Sequence, residues 1–371
     1  MLKCFVLPSL LLATILSAIS TPSQKHDTLD PPLVWDVSRF DRMDEDVSLR
    51  GELKYILKYG GSLRKAPPIV ITDKMPIFSP DKHYYVSVSS YWWPDSLDNR
   101  RYVNKDGYVN PYSQEFDRKV LSSFATRCKT LGKAFYITRD TSYYNAFIRQ
   151  LRAWFIDENT YMYPSFEYAS IVPGQHNKKG RSAGLVESYS FNPVIESIRL
   201  VNMVKEIDTL TLNSLRSWFT EFIDWTEGTY GKDMLKSNTN TSMAYDVTLI
   251  NMYLFVGDEK KAKEVADRFE KTRINVQLLE DGRQPVELNR TKAFSYSVFN
   301  LTHVIDYCYL VRYWYPAYYK NHRDRIDKAF SFLSQYVDNP SLFPYQQITI
   351  WDVCKKDFMN LQERRDALLL D

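Results

Sequence analysis

The chain has 371 residues, of which 44% are hydrophobic and 25% charged, enough apolar material for a packed core and too much for a disordered chain. Its 48 basic and 45 acidic side chains nearly cancel, leaving a formal charge of +3. No global electrostatic case for a nucleic-acid partner follows. Only 12 glycines argue against a turn-rich all-β protein, whereas an aromatic share of 15% suits helix packing or a carbohydrate cleft.

Residues 1–20 read as a secretory signal. Lys3 is a minimal basic start, 5–19 is mostly apolar, and Ala18 and Ser20 precede a cut near Thr21. The stretch is short for a membrane span and Pro8 interrupts it. The expectation is an exported protein, periplasmic or extracellular, with no membrane span in its mature form and a single domain over 21–371. Of the four cysteines, the expected cut removes Cys4, and the remaining Cys128, Cys308 and Cys354 are odd in number and widely spaced, which is neither a disulfide framework nor a zinc motif. Cys128 and Cys308 fall on apolar stripes and read as buried thiols.

From there helix follows helix. Residues 117–137 place Leu121, Phe124, Ala125, Cys128, Leu131 and Phe135 on one face at spacings of three and four. Asp140 is a candidate N-cap for a second helix that buries Tyr144, Phe147, Leu151 and Trp154. Similar patterns cover 210–226, 258–272 and 322–337, while 243–256 and 292–313 are apolar almost all round, as inner-layer helices are. Alternation of buried and amphipathic helices predicts an all-α fold, an (α/α) toroid or incomplete barrel of helical hairpins. Two long irregular stretches, 67–112 and 161–189, interrupt it and read as lid loops that wall a cleft.

Four segments carry the chemistry. In YWWPD, Tyr91, Trp92 and Trp93 are candidate sugar-stacking residues, and the two tryptophans cannot share one face of an extended strand. In PGQHNKKGR, His176, Lys178 and Arg181 make a poor core segment and a good polyanion-binding loop. SNTNTSMAYD runs into a buried helix, with Asn240 placed either to cap the backbone or to hydrogen-bond a carboxylate. In DGRQPVELNRTKAFSYSVFN, Tyr296, Asn300, His303 and Tyr307 form a polar-aromatic stripe at helical spacing. Lys292 shares the face of Tyr296, whereas Arg290 lies about 120° away and reaches it only if the helix starts later or the side chain bends over.

SYWWPD, DGYVNP (106–111), LRAWF (151–155), AYDV (244–247), DGRQPVEL and SYSVFNL together resemble the signature segments of the alginate-lyase superfamily, the α/α-toroid polysaccharide lyases. The resemblance runs from about Val86 to Leu310. It implies an acidic polysaccharide as partner, a 1,4-linked polyuronate cut by β-elimination, and no catalytic metal or other cofactor. It also implies Tyr296 as the proton-transfer residue, Arg290 beside it and Asn240 at the uronate carboxylate. Tyr245, Gln284, Glu287, Lys292 and Asn300, within or beside these segments, are expected to bind substrate. One departure stands out: where relatives carry a histidine after the asparagine, this chain has Thr241. His176 is the candidate replacement.

The residue types suit elimination. Removing the C5 proton builds negative charge on the neighbouring carboxylate, which Asn240, His176 and nearby cations stabilise. A tyrosine is a weak base at its ordinary pKa, so Arg290 or Lys292 is expected to favour the phenolate. Tyr296 then takes the C5 proton and returns it to the departing oxygen. One residue serves both steps only when proton and leaving group share a side of the ring, as in mannuronate and glucuronate. Two other readings are a hydrolase using carboxylates such as Asp246, Glu287 or Glu187, and a non-catalytic acidic-glycan-binding protein.

Overall fold

The computed structural model describes residues 29–98, 100–175 and 179–370. The segments read as a signal, as well as His176 and Lys178, lie outside the described residues.

Fourteen α-helices, several of them single turns, run in chain order through the described residues. They are α1 Val37–Asp41, α2 Arg50–Leu63, α3 Asp117–Thr138, α4 Thr141–Phe155, α5 Asn192–Val204, α6 Thr209–Glu227 and α7 Thr229–Lys236. After them come α8 Asn240–Val256, α9 Glu259–Phe269, α10 Asn275–Gln277, α11 Pro285–Leu288, α12 Ala293–Val311, α13 Tyr318–Val337 and α14 Trp351–Leu370.

Helices α3, α5, α8 and α12 pack side by side as an inner layer, and α4, α6, α9, α13 and α14 lie against them. The expected alternation is therefore present. All of α8 is buried except Thr241 and Val256, and α12 is buried over most of its length. The amphipathic α9 buries only Ala262, Val265, Ala266 and Phe269. This is the all-α (α/α) toroid anticipated from the pattern. Local chemistry sets the helix ends. Asp140 caps α4 by accepting from the Ser142 amide, and Gly257 ends α8 in the left-handed conformation at φ 86. Cys128, Cys308 and Cys354 are free and buried.

The two irregular stretches contain short strands that the helical reading did not anticipate: β1 Val86–Val88, β2 Trp92–Pro94, β3 Tyr102–Asn104 and β4 Tyr168–Ile171. Strands β1 and β4 pair in parallel, which ties one long loop to the other. Strands β2 and β3 form an antiparallel hairpin with Trp93 opposite Val103. The predicted helix over 258–272 continues instead through a π-helical turn, Glu270–Ile274, into α10. None of the described helices is long and apolar enough to cross a membrane.

Candidate active site

The site forms where the first loop meets the start of α12. No local side chain caps that helix. Gln347 does so from a distant segment, its Oε1 accepting from the amides of Phe294 at 2.9 Å and Ser295 at 3.3 Å. The helix therefore begins at Ala293, with Tyr296 in its first turn. The Tyr296 hydroxyl donates to the Tyr91 hydroxyl at 2.6 Å. Because the helix starts late, Arg290 precedes it in an irregular segment, and its guanidinium carbon sits 3.9 Å from the centre of the Tyr296 ring. Lys292 lies 5.8 Å from the centre of the Tyr91 ring.

Asp106 fixes Arg290. The Arg290 Nε donates to both carboxylate oxygens at 3.0 and 3.1 Å, and Nη2 donates to Oδ1 at 2.6 Å. The Thr291 amide and hydroxyl donate to the same residue. Gly107 makes this approach possible. Its φ is +77, and a Cβ there would lie 2.2 Å from the Thr291 hydroxyl. Burial opposes ionisation of Asp106, but the bonds from Arg290 and Thr291 outweigh it and hold the carboxyl below its ordinary pKa.

Asn240, the first residue of α8, neither caps that helix nor stands free. Its backbone amide and its side-chain Nδ2 both donate to the Glu287 carboxylate, at 2.9 and 2.6 Å. One Nδ2 hydrogen remains for another acceptor. Glu287 is 1% exposed and lies 4.0 Å from Arg290 Nη1. Asn240, Glu287, Arg290 and Asp106 thus form a continuous polar chain beside the two tyrosines.

The Tyr296 pKa differs from the sequence-based expectation. Burial raises it well above its ordinary value, the hydrogen bond to Tyr91 adds to the rise, and the Arg290 cation offsets only part. In this arrangement the phenol is the proton donor of the pair.

Several residues expected to bind substrate are in the core. Tyr245, Gln284, Glu287 and Asn300 are 2%, 1%, 1% and 0% exposed, so they belong to the core, and Glu287 supports Asn240 from behind. Gln284 joins Asn300 Nδ2 at 2.9 Å to the Ser297 carbonyl at 3.3 Å. His303 is also fully buried, edge-on to Tyr189 and Phe299, instead of sharing an open face with Tyr296. Helical spacing reports a shared stripe but not which side faces solvent. Thr241 pairs with the Thr239 hydroxyl at 2.6 Å.

The adjacent tryptophans do point apart. Trp92 lies under the Arg181 guanidinium at 5.5 Å, while Trp93 meets Lys105 at 5.4 Å and donates to the Tyr108 carbonyl at 2.9 Å. The three carboxylates weighed for a hydrolase are each engaged by protein partners. Asp246 binds Arg268 and Arg273 at 2.7 and 2.8 Å. Glu187 takes Tyr85, Ser87 and Arg118, and Glu287 takes Asn240. Sequence reasoning missed Asp106 as a site residue and Arg118, which Glu187 and Ser90 hold near Tyr91. Asp106 was visible within DGYVNP, but its partner is 184 residues away. Among the described residues, no three His, Cys, Asp or Glu side chains gather as a metal site would require.

The helical toroid thus gathers Tyr296, Arg290 and Asn240 at one end of its inner helices. The family model for alginate lyase matches residues 72–343, and the chain belongs to that family. A crystal structure of an alginate lyase from Bacteroides ovatus is similar at a TM-score of 0.83 and 29% identity, covering 91% of each chain. A histidine-to-alanine variant of alginate lyase A1-III, the enzyme of Sphingomonas species A1, complexed with a tetrasaccharide, shares the fold at a TM-score of 0.54. Its identity is 15%, over 86% of this chain and 82% of that one. No curated protein matches the sequence. The chain is a polysaccharide lyase.

Proposed function

We propose that this lyase is exported and cleaves a 1,4-linked polyuronate, either mannuronate-rich alginate or glucuronan, by β-elimination at Tyr296. The observation that carries the reading is the Tyr296–Tyr91 hydroxyl pair at 2.6 Å with Arg290 stacked on the Tyr296 ring. Tyr296 accepts the C5 proton as phenolate and delivers it to the C4 oxygen as that bond breaks, leaving a C4–C5 double bond. The phenolate is costly at rest because of burial, and two features offset the cost. Arg290 supplies a fixed cation, and Tyr91 donates a hydrogen bond once Tyr296 has lost its proton. The carboxylate geminal to the proton takes up charge, and the spare Nδ2 hydrogen of Asn240 is suited to stabilise it. With Thr241 in place of an imidazole on α8, that neutralisation draws on Asn240 and the cations Arg290, Lys292 and Arg118, and His176 of the second loop is the candidate imidazole.

Both tyrosine hydroxyls lie together, so proton removal and return occur on one side of the sugar ring. That favours mannuronate or glucuronate over guluronate. Incubation with mannuronan, guluronan and glucuronan tests the reading by the ultraviolet absorbance of the unsaturated product. Absorbance from mannuronan or glucuronan is expected, and its absence from both refutes the proposal. Export rests on residues 1–20, and the amino terminus of protein recovered outside the cytoplasm tests it: a start near Thr21 is expected, and retention inside the cell overturns it.

A further inference from the structure

Among the described residues, Arg181 is held in the second loop by contacts that leave its charge uncompensated. Its Nε donates to the Ser170 carbonyl at 3.1 Å and its Nη2 to the Ser170 hydroxyl at 3.2 Å, with the Ser89 hydroxyl as a further acceptor. Every one of these acceptors is neutral, and among the described residues Nη1 has no partner. Burial is the influence on this guanidinium, and it pulls the pKa down. A half-buried cation among neutral oxygens costs free energy that an incoming anion would offset.

The surroundings are built around it. Ser170 adopts φ 58, a left-handed conformation rare for a serine, and so breaks the β1–β4 register and presents both its carbonyl and its hydroxyl to Arg181. Its amide is held by the Ser87 hydroxyl at 2.7 Å. Gly180 packs so closely on β4 that a Cβ would lie 2.2 Å from the Ala169 carbonyl oxygen, and Tyr230 donates to the Gly180 carbonyl at 2.9 Å. Beneath the guanidinium is the half-buried Trp92 ring, and Trp92 directly follows Tyr91 in the chain.

We infer that Arg181 and Trp92 form a uronate subsite next to the catalytic tyrosines, with Arg181 binding the carboxylate of a sugar that packs on Trp92. The inference rests on the polyuronate reading and goes beyond it by assigning the residue that selects for charge away from the reacting sugar. A strained serine and a close-packed loop glycine are the cost of holding that cation in place. A neutral sugar at this position forfeits the contact.

The test uses oligouronates of graded length from the polymer the enzyme cleaves, with wild type, Arg181→Gln and Arg181→Lys. For wild type, KM is expected to drop once the oligosaccharide reaches from Tyr296 to Trp92. Arg181→Gln loses that drop, about 10- to 100-fold in KM, the size of one charge-assisted hydrogen-bonded contact. The shortest cleaved oligosaccharide is unaffected, kcat and Tm hold, and Arg181→Lys recovers part of the gain. A wild-type length profile in Arg181→Gln overturns the inference, as does an equal loss at every length. Should wild type yield no unsaturated product, the polyuronate reading fails. The subsite is then judged by calorimetric binding of mannuronan and glucuronan, where equal affinity of wild type and Arg181→Gln overturns it.

Discussion

Asp106→Asn isolates the device that places Arg290. Wild-type Asp106 accepts two hydrogen bonds from Nε and one from Nη2, with both side chains 27% exposed. Asparagine keeps one oxygen of similar shape but loses the charge and the two-pronged geometry. A charged hydrogen bond contributes about 1.5–3 kcal/mol, and partial exposure puts this pair near the lower end, at about 1–2 kcal/mol. Freed from Asp106, Arg290 has Glu287 as an alternative partner, now 4.0 Å away. Moving toward it takes the guanidinium off the Tyr296 ring. If the same 1–2 kcal/mol appears in the barrier, kcat falls about 5- to 30-fold. Arg290 is the cation that favours the phenolate, so its departure moves the rising limb of kcat/KM, along which Tyr296 ionises, to higher pH. Steady-state kinetics across pH, with urea melts alongside, measure both effects. Loss of stability with an unchanged kcat and pH profile would show that Asp106 merely staples two loops, and would refute the assignment to Arg290.

Two further predictions follow from the same geometry and from the buried histidine. Gly107→Ala forces an L side chain into φ +77 and a Cβ to 2.2 Å from the Thr291 hydroxyl, so it should cost about 1–3 kcal/mol in urea unfolding and reduce kcat by displacing Arg290. Wild-type stability and turnover in this variant would contradict the close approach. His303 is held neutral, its pKa lowered to about 4 by burial, against about 6.5 when unfolded. The unfolded chain therefore binds the extra proton first as pH falls. The stability this group preserves is full above the unfolded value and is lost progressively between about 6.5 and 4, roughly 2 kcal/mol by pH 5. His303→Leu should lose less stability than wild type between pH 8 and pH 5; equal slopes in urea melts would refute the assignment.

Much of the fold was legible because helices announce themselves locally. The spacing of Leu121, Phe124, Cys128 and Phe135 and the capping Asp140 both stand in the helices they predicted. Uniform burial of α8 followed from an apolar run with no polar face. The strands were hidden because each is three or four residues long and depends on a partner far away in sequence, as Val86 depends on Tyr168. At the site, Tyr296 and Arg290 were identifiable from their segment, and the late start of α12 brought them together. That start is set by Gln347, which no reading of 281–300 contains. The binding roles expected of Tyr245, Gln284, Glu287 and Asn300 went astray for a related reason. A motif shows that a residue matters without showing whether it faces the cleft or supports it.

The proposed elimination depends on proton transfer by Tyr296. The most direct test is the initial rate of unsaturated-uronate formation by wild type and Tyr296→Phe on the same polyuronate, with binding followed by calorimetry. The variant loses only a hydroxyl, keeps the ring beneath Arg290, and should bind the polymer with near wild-type affinity while its turnover falls at least ~1,000-fold, in line with loss of a general acid–base group. Turnover within a few-fold of wild type would contradict the account.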